Sequence, residues 1–257
     1  MISDFITHLF LFIISIFSNF LSALAGGGAG LIQLPAIIFL GLPFAKGLAT
    51  HKIASVALGL GASFRHLQQR NLNAFICILI LGCGLPGVVI GTQIVLFISS
   101  KVATICLGLL IILLSIFSRK LQVNTNSYSN NIINTVDLFK GCIGIFVIGI
   151  LNGSLTSGTG LFLTFWLIKW FQISFTSAVA YTLILVGIAW NLTGSILLGV
   201  SSEVQWIWLP SLILGSLIGG YLGAHYSIIK GDKLVKSTFR VITLITGVSL
   251  LMKVFVN

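Results

Sequence analysis

Acidic residues are nearly missing from this sequence: 4 among 257, against 14 Lys and Arg, so that charged residues of both signs make up only 7%. A soluble domain carries roughly 25%, and a water-exposed surface cannot be built from so few. The scarcity also removes functions. No paired carboxylates stand ready for acid–base catalysis, no His/Cys/Asp/Glu cluster has metal-ligand spacing, and no ATP-binding motif occurs, so no enzyme and no cofactor are expected. A Gly-x-Ser-Gly nucleophile pattern is lacking around Ser157. Leu31 stands where a dinucleotide fingerprint needs its last glycine. Cysteine is sparse too: Cys77, Cys83, Cys106 and Cys142 stand singly in apolar stretches and read as packing residues. The start, Met1-Ile2-Ser3-Asp4, has no basic residue ahead of the first apolar run, so no cleaved signal peptide is expected.

What the sequence has in abundance is apolar length. Hydrophobic residues make up 57%, mean hydropathy is +1.13, and runs of about 20 apolar residues recur, each long enough to cross a hydrocarbon core roughly 30 Å thick. The bilayer is the expected solvent and partner. The net charge of +10 does not point to nucleic acid, because the basic residues fall mostly between apolar runs, where they encode topology.

The chain also repeats itself. Gly26-Gly27-Gly28-Ala29-Gly30-Leu31 has a counterpart in Thr156-Ser157-Gly158-Thr159-Gly160-Leu161, and the glycines from Gly84 to Gly91 have one in Gly215 to Gly223. Each half reads as a long apolar segment, a Gly-rich break, a short apolar segment and three longer ones. These are Phe5 to Ala25, Leu31 to Leu42, Ala45 to Phe64, Ala74 to Ile98 and Val102 to Ser118, then Leu138 to Leu155, Leu161 to Phe171, Phe175 to Gly199, Gln205 to Ile229 and Leu234 to Phe255. The expected fold is all-α: a polytopic helical membrane protein of two homologous halves, residues 1–118 and 138–257, joined by a polar linker, residues 119–137, on the cytoplasmic side. Spacings such as Gly87 to Gly91 and Gly215 to Gly219 to Gly223 read as close helix packing. The same glycine faces leave a homo-oligomer open.

Charge arbitrates the topology. The short segments, about 12 residues or roughly 18 Å, either cross or dip and return. If they cross, the halves are inverted, and Arg65, Arg70, Arg119, Lys120, Lys140, Lys169, Lys230, Lys233, Lys236 and Arg240 share one side, opposite Lys46, Lys101 and Lys253. The positive-inside rule favours this arrangement.

Inverted halves with Gly-broken short helices in matching positions point to a transporter site at the breaks. Gly26, Gly27, Gly28 and Gly30 allow close backbone approach, and helices beginning at Leu31 and Leu161 would offer free N–H groups to an anion. Thr156, Ser157 and Thr159 add hydroxyls beside Gly158. Lys52, next to Thr50 and His51, is the deepest charge in the chain, and a lysine in lipid is costly enough to imply a functional partner. All four acids, Asp4, Asp137, Glu203 and Asp232, fall at segment ends or in loops, which disfavours a cation pathway. Tyr181 and Thr182 hold the places of His51 and Lys52 in the second half, and Gln33 follows the first break. The substrate class read from these residues is a small anion, moved by a secondary transporter or through an anion channel.

The segment Gly26-Gly27-Gly28-Ala29-Gly30-Leu31-Ile32-Gln33-Leu34-Pro35, with Gly41-Leu42-Pro43, Ala49-Thr50-His51-Lys52 and the basic stretch Arg65 to Asn71, resembles the sulfite exporter TauE/SafE family. The likeness covers nearly the whole chain. It implies a permease of the bacterial inner (cell) membrane for sulfite, thiosulfate, sulfonates or other small organic anions; a transporter of small carboxylates is the alternative. Two features depart from the family pattern: the second break has Thr and Ser where further glycines are usual, and Phe165 stands where a proline would match Pro35. The family is commonly described with about eight membrane segments, against the ten counted here.

Overall fold

The computed structural model describes residues 2–66, 72–117, 135–229 and 247–253, and all regular structure among them is helical. In chain order the elements are α1 (Ile2–Ala25), a 3-10 turn (Ala29–Leu31), α2 (Gln33–Phe39), α3 (Phe44–His66), α4 (Ala74–Phe97), α5 (Ser100–Phe117), α6 (Thr135–Ser154), α7 (Thr159–Phe171), α8 (Phe175–Ser201), a 3-10 turn (Trp206–Trp208) and α9 (Leu209–Ile229). Residues 247–253 are helical as well. Among the described residues five helices are long and apolar enough to cross a membrane, namely α1, α4, α6, α8 and α9. The 23 residues of α3 are long enough too, at about 1.5 Å each, but include Lys46, His51, Lys52 and Arg65.

The distribution of side chains is that of a protein solvated by lipid. Phe97, Val200 and Phe5 are 88%, 86% and 68% exposed, while Ser15, Asn19, Gln33, His51, Lys52 and Asn152 are buried. In water this arrangement would expose a large apolar surface and bury polar groups at a cost. In a bilayer it is the favourable one, and it is an all-α, multi-pass membrane protein that these faces describe.

The expected glycine spacings set the helix contacts. Gly84 of α4 meets Gly149 of α6, and Gly91 meets Ile150 and Gly153 further along, so α4 and α6 run parallel. In the same way Gly215, Gly219 and Gly223 of α9 lie on Phe12, Ile16 and Phe20 of α1, which makes that pair parallel too. Thus α4 packs on α6, and α9 packs on α1. Small residues are what permits such close backbone approach where lipid supplies no hydrophobic drive.

Other contacts complete the set of directions. Leu58 of α3 meets Gly220, and Lys46 pairs with Glu203 just ahead of α9, so α3 runs with α9 and α1. Asn73 meets Tyr181 and Gly84 meets Trp190, so α8 runs with α4 and α6. The helices α3 and α8 cross antiparallel: Gly59 lies on Gly187 while Lys52 lies on Gly194. Because α1 and α3 point the same way, residues 26–43 must bring the chain back between them, and residues 155–174 do the same between α6 and α8. The short helix α7 accordingly runs antiparallel to α6, with Trp166 against Gly144 and Phe171 against Gly141.

Two local expectations change. The helix expected to begin at Leu31 is a 3-10 turn, Ala29–Leu31, separated from α2 by Ile32 at φ −122°, ψ −51°. Its counterpart starts at Thr159, two positions ahead of Leu161. Most of the linker, 119–137, lies outside the described residues, and its last three residues are the first turn of α6. Arg70, Arg119, Lys120 and the cluster from Lys230 to Arg240 are outside them as well.

Candidate functional site

The two breaks meet. A Cβ placed on Gly27 would stand 2.6 Å from Gly160 Cα, so here the two backbones touch, with Gly27 at a φ of +126° open only to glycine. The second half also satisfies carbonyls of the first break: Ser157 donates to Gly30 O, and Thr164 donates to Gly26 O at 2.9 Å. Short 3-10 and α-helical turns leave their first N–H groups without internal partners, and both breaks direct such turns toward one space.

That space is a cavity of about 40 Å³, lined by Gly27, Gly28, Ala29 and Gly30 from the first break, Thr156, Thr159 and Gly160 from the second, His51 and Ser55 from α3, Ser22 from α1, Asn152 from α6, and Thr182 and Asn191 from α8, with Leu58, Leu183, Val186 and Gly187 completing it. One water occupies roughly 10–15 Å³ on this measure, so the cavity has the scale of a small polyatomic ion or a few waters. Two wall groups have no partner among the described residues: Ser22 Oγ and Asn191 Oδ1, both buried. Buried polar atoms are normally satisfied, and two orphans on residues of one cavity wall suit it to a polar guest. The α8 wall is a π-helical stretch, Thr182–Trp190, a form that recurs at functional sites.

Lys52 stands behind this wall. It is wholly buried, and its ammonium donates to Asn152 O at 2.8 Å, Asn152 Oδ1 at 3.1 Å and Thr156 Oγ1 at 3.3 Å. Three neutral oxygens satisfy its three protons but not its charge. Among the described residues no carboxylate is at hand: Glu203 pairs with Lys46 at 3.0 Å, and Asp4 and Asp137 sit in the first turns of α1 and α6. Asn152 relays the lysine to the cavity, since its Nδ2 donates to Thr159 Oγ1 at 2.9 Å.

His51 is held in one orientation by a chain of hydrogen bonds whose polarity can be followed from its far end. Ser15 Oγ donates its single proton to Leu212 O at 2.7 Å, so it must accept from Gln33 Nε2 at 2.8 Å. Gln33 therefore presents Oε1 to His51 Nδ1 at 2.8 Å, and an amide oxygen can only accept. The proton of neutral His51 is on Nδ1. Its Nε2 lone pair then faces Ser55 Oγ at 3.1 Å and the cavity.

The structure thus brings Gly27, Gly28, Gly30, His51, Thr156, Thr159 and Thr182 to the cavity wall. Lys52, Gln33 and Ser157 stand one contact behind it. Gly26 and Gly158 lie on the outer side of the breaks, against Val179 and Leu114. Thr50 turns away, bonding Lys46 O and the N–H of Gln205, and Tyr181 accepts from the N–H of Asn73 at 2.6 Å. Ser22 and Ser55 join the wall without having been expected there, a small polar residue on an apolar helix being the only signal the sequence carries for them; Asn152 and Asn191, amides in otherwise apolar helices and weaker signals in the sequence, line it as well.

Residues 11–250 match the family described as Sulfite exporter TauE/SafE. The chain belongs to the TauE/SafE family. Similar curated proteins are a "Probable membrane transporter protein" of Haemophilus influenzae, 26% identical over 88% of this chain and 87% of its own length, and "Probable membrane transporter protein YfcA" of Escherichia coli K12, 21% identical over 94% and 88%. "Probable membrane transporter protein YunE" of Bacillus subtilis is 22% identical over 94% of this chain and 96% of its own. No solved structure matches. As a TauE/SafE member the chain is a membrane transporter.

Proposed function

We propose that this TauE/SafE protein is a secondary transporter of small anions, sulfur-containing ones such as sulfite, thiosulfate or sulfonates, in a bacterial inner membrane. The observation that carries the reading is Lys52: a fully buried ammonium bonded, among the described residues, only to neutral oxygens, one contact from a cavity whose wall residues include unpartnered polar atoms. A buried charge without a counter-ion is expensive, and a mobile anion in the cavity supplies the missing partner. Thr156, Thr159, Thr182, Ser22, Asn191 and the N–H groups of Gly28 and Gly30 would orient it, and His51 would close one side.

The helix directions support an inverted relation of the halves 1–118 and 138–257, with 119–137 as the linker. The counterparts α1 and α6, α3 and α8, and α4 and α9 each run oppositely, so the site between the breaks is approached from both faces by equivalent elements. Alternating access in such folds is largely a rocking of one repeat against the other around a fixed site.

The test is flux in proteoliposomes with radiolabelled sulfite, thiosulfate and a small carboxylate as control. Saturable uptake of a sulfur anion with counterflow is expected, and counterflow distinguishes a carrier from a channel. Lys52→Ala should abolish it in protein that still inserts and folds; undiminished flux in that variant would remove the basis of the reading.

A further inference from the structure

Among the described residues His51 is the one titratable side chain in the cavity wall. Its Nδ1 is committed to Gln33, which leaves Nε2 as the atom that gains a proton. While Nε2 is bare, Ser55 must direct its only O–H toward it and presents lone pairs to the cavity. When Nε2 is protonated it becomes a donor to Ser55 Oγ, the hydroxyl reverses, and its O–H is released to the cavity. One proton therefore adds a positive charge and a hydrogen-bond donor to the same wall.

The surroundings leave His51 without competing ionic partners. Lys52, its chain neighbour, has the same sign of charge as a protonated His51, and its ammonium is turned to Asn152 and Thr156. On α8 the Tyr181 hydroxyl is taken up by Asn73, on α9 His225 stacks on Tyr221, and on α1 His8 bonds Ser211. On α5 Lys101 and Cys106 are exposed. No carboxylate among the described residues faces it. With Lys52 alone the cavity matches a single negative charge; with His51 protonated it matches two.

We propose that His51 Nε2 is a proton-binding site coupled to the anion site through Ser55, so that anion and proton are carried together. This rests on the reading of the protein as an anion transporter. Coupling between the two sites is reciprocal: a proton that tightens anion binding is itself bound more tightly when the anion is present. The coupling requires no relay across the protein, because the titrating atom is already at the cavity.

The experiment uses the full chain in proteoliposomes held at zero potential, with an internal pH dye and labelled thiosulfate or methanesulfonate, both fully ionised near neutral pH. An inward acid gradient should drive accumulation of about tenfold per pH unit for one proton per anion, with protons entering alongside. His51→Gln places an amide near the Nε2 position that cannot titrate; it should lower counterflow without abolishing it and lose both acid-driven accumulation and proton entry. Proton entry at the wild-type ratio in His51→Gln overturns the proposal, as does wild-type anion flux indifferent to the gradient, which leaves anion transport itself standing. Loss of counterflow in folded His51→Gln also overturns it, making His51 part of the anion site alone. Ser55→Ala gives a second readout should His51→Gln not fold: the anion KM rises several-fold and its dependence on pH weakens, whereas an unchanged KM with unchanged pH dependence removes Ser55 from the coupling and overturns the mechanism. No wild-type flux of any anion overturns both readings together.

Discussion

Gly27 and Gly160 lie backbone against backbone, so that a methyl group on either would enter the other break: 2.6 Å from Gly160 Cα in one direction and 2.9 Å from Gly27 Cα in the other. Gly27→Ala meets both that contact and a φ of +126°, at a combined cost of roughly 2–4 kcal/mol. Gly160→Ala meets the contact alone and should cost less, about 1–3 kcal/mol. Thermal unfolding in detergent, with Gly41→Ala as a control whose added Cβ meets nothing within 4 Å but shares the positive φ, separates the contact from the backbone effect. Equal losses for Gly27→Ala and Gly41→Ala would mean that the breaks do not touch.

Gly194→Ala tests Lys52 from the side away from the cavity. The added methyl would sit 2.9–3.0 Å from Lys52 Cδ, Cε and Nζ, pushing the ammonium off its oxygens. Alanine is the better helix former by about 1 kcal/mol, so the variant should remain as stable as the parent while its anion flux falls several-fold. Flux equal to the parent would show that Lys52 takes up the displacement without consequence.

Asn152→Asp supplies the buried ammonium with the counter-ion it lacks. A paired charge is far cheaper to bury than a lone one, so thermal stability should hold or rise, while the site loses its attraction for an anion. A fall in affinity of at least about tenfold, equivalent to roughly 1.4 kcal/mol, is expected in substrate-saturation measurements. A variant that is more stable and transports normally would show that the charge of Lys52 serves the fold and not the substrate.

Thr156 has a φ of +57°, uncommon for a β-branched residue and worth about 1–2 kcal/mol of strain, and its hydroxyl accepts from Lys52. Thr156→Gly relieves the backbone and removes the hydroxyl, so stability should change by less than about 1 kcal/mol while the KM for the anion rises. Thr156→Ser keeps the hydroxyl and should restore most of the affinity. If glycine and serine behave alike in flux, the hydroxyl has no part in binding.

Much of this architecture was legible in the sequence because lipid demands long apolar helices, and the breaks, the repeat and the close-packing glycines are local patterns. Rotation about a helix axis is not local. Thr50, His51 and Lys52 are consecutive, and consecutive helical residues point about 100° apart, so they fan out to Gln205, the cavity and Asn152 respectively. Proximity in sequence grouped them; the structure divides them. The match of Tyr181 to His51 gave its position along α8, but its hydroxyl reaches across to the start of α4. The chain from Ser15 through Gln33 to His51 joins α1, α2 and α3, and Ser22 and Asn191 gain their significance only from the space between elements.

The wide turn in α8 reaches further than its own nine residues. A helix wound with i→i+5 bonds turns less per residue than one wound with i→i+4 bonds, so everything beyond Trp190 is phased differently from what the residue count predicts. Asn191, the first residue after that stretch, owes its aim to this offset. Removing a single residue from Thr182–Trp190 would let the helix tighten toward α-helical winding without breaking it, whereas tightening it at full length would turn Asn191 off its present face. Here the chain length between two fixed points acts as a dial, setting which face of an otherwise continuous helix the solute meets.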